Sequence, residues 1–114
     1  MEHDYKKYVY DISKAADEIS EFVGGISLDE YLENRIIKAA VERKFEIIGE
    51  ALNRIMKSAP DLLKKIRDHR KIIDFRNLLI HGYDMISDPI VWDIIQESLP
   101  VLREDINNLL DDLC

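Results

Sequence analysis

One stretch of the chain carries residue types that chemistry can use: Asp74-Phe75-Arg76-Asn77-Leu78-Leu79-Ile80-His81-Gly82-Tyr83. Within it Arg76, His81 and Tyr83 form the pattern Arg-x4-His-x-Tyr, with Asn77 beside the arginine. An ordinary histidine titrates near pH ~6.5, so it can take and return a proton close to neutrality. A guanidinium stays charged and meets two phosphate oxygens in a fork, which stabilises charge developing on a phosphodiester. Together these groups suit cleavage of RNA without a metal. A base removes the proton of a ribose 2′-hydroxyl, and that oxygen attacks the adjacent phosphorus. Asn77 could orient His81 or hold a phosphate oxygen, and Tyr83 could donate a hydrogen bond or stack on a base. Each residue also has an ordinary structural use. Arg76 could pair with Asp74 or with a neighbouring helix, and His81 could simply complement a helix dipole. Tyr83 could be a half-buried packing residue, and Asn77 could bond to backbone.

The segment around the motif reads as a helix from about Lys71 to His81, with Ile72, Phe75, Leu78 and Leu79 apolar and Gly82 placed to close it. On an ideal helix Arg76 and Tyr83 share a face and Asn77 and His81 share a neighbouring one, while Arg76 and His81 diverge by ~140°. That spacing is compatible with one pocket without requiring it. A single arginine and a single histidine make a sparse site, and a two-fold axis would supply two of each.

The remaining elements are helical too. Val9, Ile12, Ala16, Ile19, Phe22 and Val23 recur at helical steps between Tyr5 and Val23, and Gly24-Gly25 ends that helix. Ser27-Leu28-Asp29-Glu30 reads as a capping box opening a short turn to about Glu33. A long helix from about Arg35 to Lys57 follows, with Ile36, Ile37, Ala40, Val41, Phe45, Ile48, Ala51, Leu52, Ile55 and Met56 as its stripe. Gly49 interrupts it at a cost of ~1 kcal/mol relative to alanine, which close approach of another helix backbone would explain. Past Pro60 a short helix over Asp61 to Arg67 is expected. After a loop at Asp84 to Ser87, Asp88 reads as an N-cap and Pro89 as the first helical residue of a final stretch that Pro100 kinks or divides. No strand pattern competes. Short connections between such helices predict one all-α, up-and-down bundle spanning residues 1–114.

Composition narrows the function classes. The chain has 114 residues, 46% hydrophobic and 34% charged, enough to bury a core and too regular for disorder. Its apolar runs are far shorter than the ~20 residues of a membrane span, and Met1 to Lys6 has no leader-like pattern. The sole cysteine is Cys114, so no internal disulfide is available. A cytoplasmic protein is expected. The histidines are His3, His69 and His81, too few with one cysteine for a tetrahedral zinc site, and no glycine-rich phosphate loop occurs. Neither a metal nor another cofactor is expected. The net charge of −7 argues against a broad nucleic-acid surface, DNA included. Yet Leu62 to Tyr83 holds Lys64, Lys65, Arg67, Arg70, Lys71 and Arg76 against only Asp68 and Asp74. This basic stretch is either a solvated helix face or a local phosphate-contacting surface.

Taken in order, several segments resemble the HepT-like branch of the HEPN superfamily. Arg76-x4-His81-x-Tyr83 is followed by Asp88-Pro89-Ile90-Val91-Trp92-Asp93-Ile94-Ile95. Upstream stands Arg43-Lys44-Phe45-Glu46-Ile47-Ile48-Gly49-Glu50-Ala51, and Asp11-Ile12 and Leu99-Pro100 also fit. The resemblance covers nearly the whole chain. It implies a homodimer of all-α protomers whose motifs face one another across a cleft. It further implies a metal-independent endoribonuclease that is the toxin of a toxin–antitoxin pair. Arg76 and His81 match the family's catalytic positions and Asn77 a polar neighbour. Tyr83 matches a tyrosine that an antitoxin, a minimal nucleotidyltransferase of the MntA type, can adenylylate. Arg43 and Glu46 match the upstream motif, with a supporting or cleft-lining role. The same family also implies an alternative, a non-catalytic helical module that binds and regulates a nucleotidyltransferase. Two features depart from the pattern. Asp74-Phe75 replaces the frequent Gly-Met before the arginine, and Lys64 to Asp74 lacks a tryptophan often found there.

Overall fold

Apolar residues at helical spacing set the architecture in a computed structural model that describes residues 4–82 and 87–113. The helices are α1 (Asp4–Val23), α2 (Leu28–Glu33), α3 (Arg35–Ser58), α4 (His69–His81), α5 (Asp88–Asp93) and α6 (Leu99–Leu113). A 3-10 segment at Pro60–Lys65 precedes α4, and a π-helical turn at Ile94–Ser98 joins α5 to α6. No strand occurs among the described residues, as the absence of two-residue alternation predicts.

Helix α3 packs against both α1 and α4, and α6 packs on α1. Lys44 of α3 pairs with Glu18 of α1 at 3.0 Å, while Arg54 lines a cleft with Tyr8, so α1 and α3 run antiparallel. Their shared core is built from Val9, Ile12, Ala16 and Ile19 against Val41, Phe45, Ile48 and Leu52, all fully buried. Phe45 meets Phe75 of α4 edge to face, with ring centroids 5.2 Å apart. This edge-on contact fixes the lateral position of α4 on α3. The capping box forms as expected: the Glu30 amide donates to Ser27 Oγ and the Ser27 amide to Glu30 Oε1. Gly25 takes a φ of 80° after α1, the left-handed conformation that glycine adopts freely.

The structure differs from the sequence reading at several points. The segment expected as a helix over Asp61 to Arg67 is a 3-10 helix that stops at Lys65. Arg67 gives its amide to Asp105 of α6 at 2.7 Å, not to a carbonyl one turn back. Asp68 then adopts a φ of 60°, and α4 starts two residues before Lys71. The N-cap of α5 is Ser87, and the Asp88 carboxylate instead accepts from Lys38 Nζ at 3.0 Å. Pro100 does not divide the last stretch. Because it has no N–H to return to the carbonyl four residues earlier, the helix widens just before it. The Leu99 amide there reaches back to the Ile94 carbonyl. Ile36, placed in the apolar stripe of α3, is 83% exposed.

Candidate active site

Arg76 leaves α4 toward α3, and the sequence of α3 makes room for it. A Cβ on Gly49 would overlap Cβ and Cγ of Arg76 and stand 3.2 Å from its Cδ. The glycine therefore admits the root of the Arg76 side chain, and with it the close approach of a neighbouring helix that its spacing suggested. With its stem packed there, the Arg76 side chain is only 19% exposed. Its Nη2 donates to Glu50 Oε2 at 2.7 Å and its Nη1 to Asn77 Oδ1 at 3.1 Å. Its Nε is buried and makes no hydrogen bond among the described residues. The other oxygen of Glu50 accepts from Arg54 Nε at 3.0 Å, one helical turn on. One carboxylate thus bridges two guanidinium groups. The ion pair proposed for Arg76 exists, but its partner is Glu50 on the neighbouring helix and not the adjacent Asp74.

The guanidinium of Arg76 borders an open cleft of about 370 Å³ between α1, α3 and α4. Helix α1 contributes Lys7, Tyr8 and Asp11 to its walls. Arg43, Glu46, Glu50 and Arg54 come from one polar face of α3, and Ile80 joins Arg76 from α4. Arg43 and Glu46 pair with each other at 3.4 Å on this wall. Four cations face three carboxylates, so the cleft keeps a slight positive excess on a chain of charge −7. Such a balance admits an anion at chosen points without making the whole surface basic.

His81 ends α4 and is exposed. It does not line the Arg76 cleft. It borders a separate shallow recess with Asp74, Asn77, Leu78 and Gly82. This is what the ~140° divergence on an ideal helix anticipates. Asn77 is the link between the two, since its side chain accepts from Arg76 and also lines the His81 recess. Next to that recess runs an apolar groove with Phe75, Leu78, Ile90 and Ile94. Leu78 is 40% and Ile90 46% exposed there. Tyr83 lies outside the described residues.

The basic stretch is partly consumed by the fold. Arg67 is held by Asp105 and Glu104, Lys64 by Asp61, and Arg76 by Glu50. The cations that join Arg76 around the cleft are Lys7, Arg43 and Arg54, far from it in sequence. Glu50, Arg54, Lys7 and Tyr8 were not singled out from sequence. The available signal was the polar line Arg43, Glu46, Glu50, Arg54 at three- and four-residue steps along α3, opposite its apolar stripe. Among the described residues, no group of three or more His, Cys, Asp or Glu side chains stands close enough to hold a metal. No helix among them is long and apolar enough to cross a membrane.

Comparison with known proteins adds an independent finding. The family model described as "Ribonuclease HepT-like" matches residues 12–109. A Methanocaldococcus jannaschii protein, named by inference as an RNase, is 32% identical over 103 residues, covering 90% of this chain and 94% of its own. A Thermococcus cleftensis protein, named by inference as ribonuclease HepT, is 30% identical over 112 residues, covering 96% of this chain and 98% of its own. A third, from Caldanaerobacter subterraneus subsp. tengcongensis and also named by inference as an RNase, is 28% identical over 105 residues, covering 92% and 93%. No solved structure matches the chain.

Proposed function

The chain belongs to the HepT-like ribonuclease family, and from that premise we propose that it is a metal-independent endoribonuclease whose catalytic groups are Arg76 and His81. The observation that carries this reading is the placement of Arg76. Its stem is buried over Gly49, yet the residue is kept at the edge of an open cleft, on the same helix that ends in the exposed His81. A purely structural arginine has no need of that opening.

In the proposed reaction His81 takes the proton of a ribose 2′-hydroxyl. The new bond joins the 2′-oxygen to phosphorus, and the bond from phosphorus to the 5′-oxygen breaks. The leaving oxygen takes up a proton from solvent water, to which His81 returns the one it accepted, and the products are a 2′,3′-cyclic phosphate and a 5′-hydroxyl. Arg76 offsets the charge that builds on the phosphate oxygens. Asn77 supports the pair from between the two recesses, and Arg43 and Glu46 line the strand path.

Within one protomer the two catalytic side chains border different recesses, so the site is proposed to be completed by a homodimer. The exposed Leu78 and Ile90, over the buried Phe75 and Ile94, support this, because a second copy laid on them would bring two motifs together. We further read the protein as the toxin of a toxin–antitoxin pair. Its partner would be an MntA-like nucleotidyltransferase, and Tyr83 the tyrosine that receives adenylate. An adenylyl group there would add bulk and negative charge near His81 and repel RNA phosphate.

The test is cleavage of a synthetic RNA in the presence of a chelator. His81→Ala and Arg76→Ala should each lower the rate by about 100-fold or more while helical content is retained. Full activity of purified His81→Ala would remove His81 from the mechanism. A wild-type dimer that never cuts RNA but binds the nucleotidyltransferase would favour the non-catalytic module instead.

A further inference from the structure

Resting on that reading, we propose that Glu50 is a positioning residue that fixes the guanidinium of Arg76 for a phosphate, with Arg54 holding Glu50 in turn. A guanidinium has five N–H donors, one on Nε and two on each terminal nitrogen. In this protein Nε is buried with the stem and is out of reach of a ligand. One donor of Nη1 goes to Asn77 and one of Nη2 to Glu50. That leaves one donor on each terminal nitrogen, a pair in the right number for the two-point contact that phosphate favours.

The buried stem limits where the group sits but not its final rotation. Two anchors on opposite terminal nitrogens do, and the stronger is the charged one at 2.7 Å. Glu50 is 44% exposed, so on its own it would sample several rotamers. Its second oxygen is held by Arg54 at 3.0 Å, which removes that freedom. The order of support is Arg54 to Glu50 to Arg76 to phosphate. A carboxylate and a phosphate repel one another, so the contribution assigned to Glu50 is orientation.

The test has one arm that reads orientation without catalysis and one that reads catalysis. In nitrogen-15 arginine-labelled protein, the terminal N–H signals of Arg76, assigned by their loss in Arg76→Lys, should be resolved by restricted rotation. They should collapse in Glu50→Ala, persist in Glu50→Gln, whose oxygen can still accept, and broaden in Arg54→Ala. Signals that stay resolved in Glu50→Ala overturn the proposal. In RNA cleavage Glu50→Ala should lower kcat about 10- to 100-fold with KM changed less than about threefold. Glu50→Gln should recover part of the loss, and Glu50→Ala should have no further effect in an Arg76→Ala background. A folded Glu50→Ala with unchanged kcat, or one whose effect persists in the Arg76→Ala background, also overturns it. If wild-type protein cuts no RNA, the nuclease reading fails while the labelling arm still decides the role of Glu50.

Discussion

At the scale of single residues, the site depends on a missing side chain. Gly49 costs α3 ~1 kcal/mol of helix propensity relative to alanine, and the space it leaves is filled by Cβ and Cγ of Arg76. Those atoms are the root of the side chain, fixed to α4, so they cannot swing aside as a distant terminus would. Gly49→Ala should therefore do the reverse of what propensity suggests. We expect a net loss of about 1–3 kcal/mol in denaturant unfolding, because overpacking pushes α4 off α3. Cleavage should fall together with stability, as Arg76 is displaced from Glu50. An unchanged or raised stability would mean that α4 accommodates the methyl group without moving.

At the scale of elements, α4 is placed by two different devices. The Phe45–Phe75 contact seats its middle on α3. The turn leading into it is tied to α6 by Asp105, which is only 6% exposed. Asp105 accepts from the Arg67 amide at 2.7 Å and from the Arg67 guanidinium at 2.8 and 3.2 Å. Burial alone pushes the Asp105 carboxyl up. The Arg67 side-chain and amide hydrogen bonds outweigh it and hold the group below its ordinary value of 3.8. A carboxyl depressed by folding adds stability that is fully present above its ordinary value and is lost as pH falls through the folded one. Asp105→Ala leaves the Arg67 amide without its acceptor and should cost about 1–3 kcal/mol at neutral pH. Asp105→Asn should lose part of the acid limb of the stability–pH profile below pH 3.8. A profile identical to wild type in that range would show that the tie contributes nothing.

At the scale of the whole molecule, the chain measures 43 × 29 × 19 Å. Its thin dimension is about two helix diameters, so every long helix keeps a face toward the outside. The outer side of α4 and α5 keeps Leu78 and Ile90 there, with Leu78 next to His81. The proposed dimer buries this strip. Leu78→Asp or Ile90→Asp should then yield monomers in sedimentation and lose most cleavage, without loss of helix in circular dichroism. Dimers that persist in both variants would place the interface elsewhere. Losing cleavage while remaining dimeric would assign the strip to the strand path instead.

Helix periodicity, the glycine pair after α1 and the capping box are local signals, and each is legible because neighbours within a turn decide it. So was the chemical pair itself, an arginine and a histidine five residues apart on one helix. The divergence of their side chains also follows from helix geometry, and the structure puts them in separate recesses. The sequence could not say what Gly49 makes room for, because its occupant comes from 27 residues away. Nor could it identify Glu50 as the acid that meets Arg76 in preference to Asp74 two residues before it. It offered no means to see that Lys7, Tyr8 and Arg54 share a cleft with Arg76, or that Asp105 shortens the segment before α4. All of these pairings join helices, and the distance between side chains on different helices is set by how cores interlock. Hydrophobic pattern along one helix constrains which face turns inward, but not which polar residue on a second helix will stand opposite it.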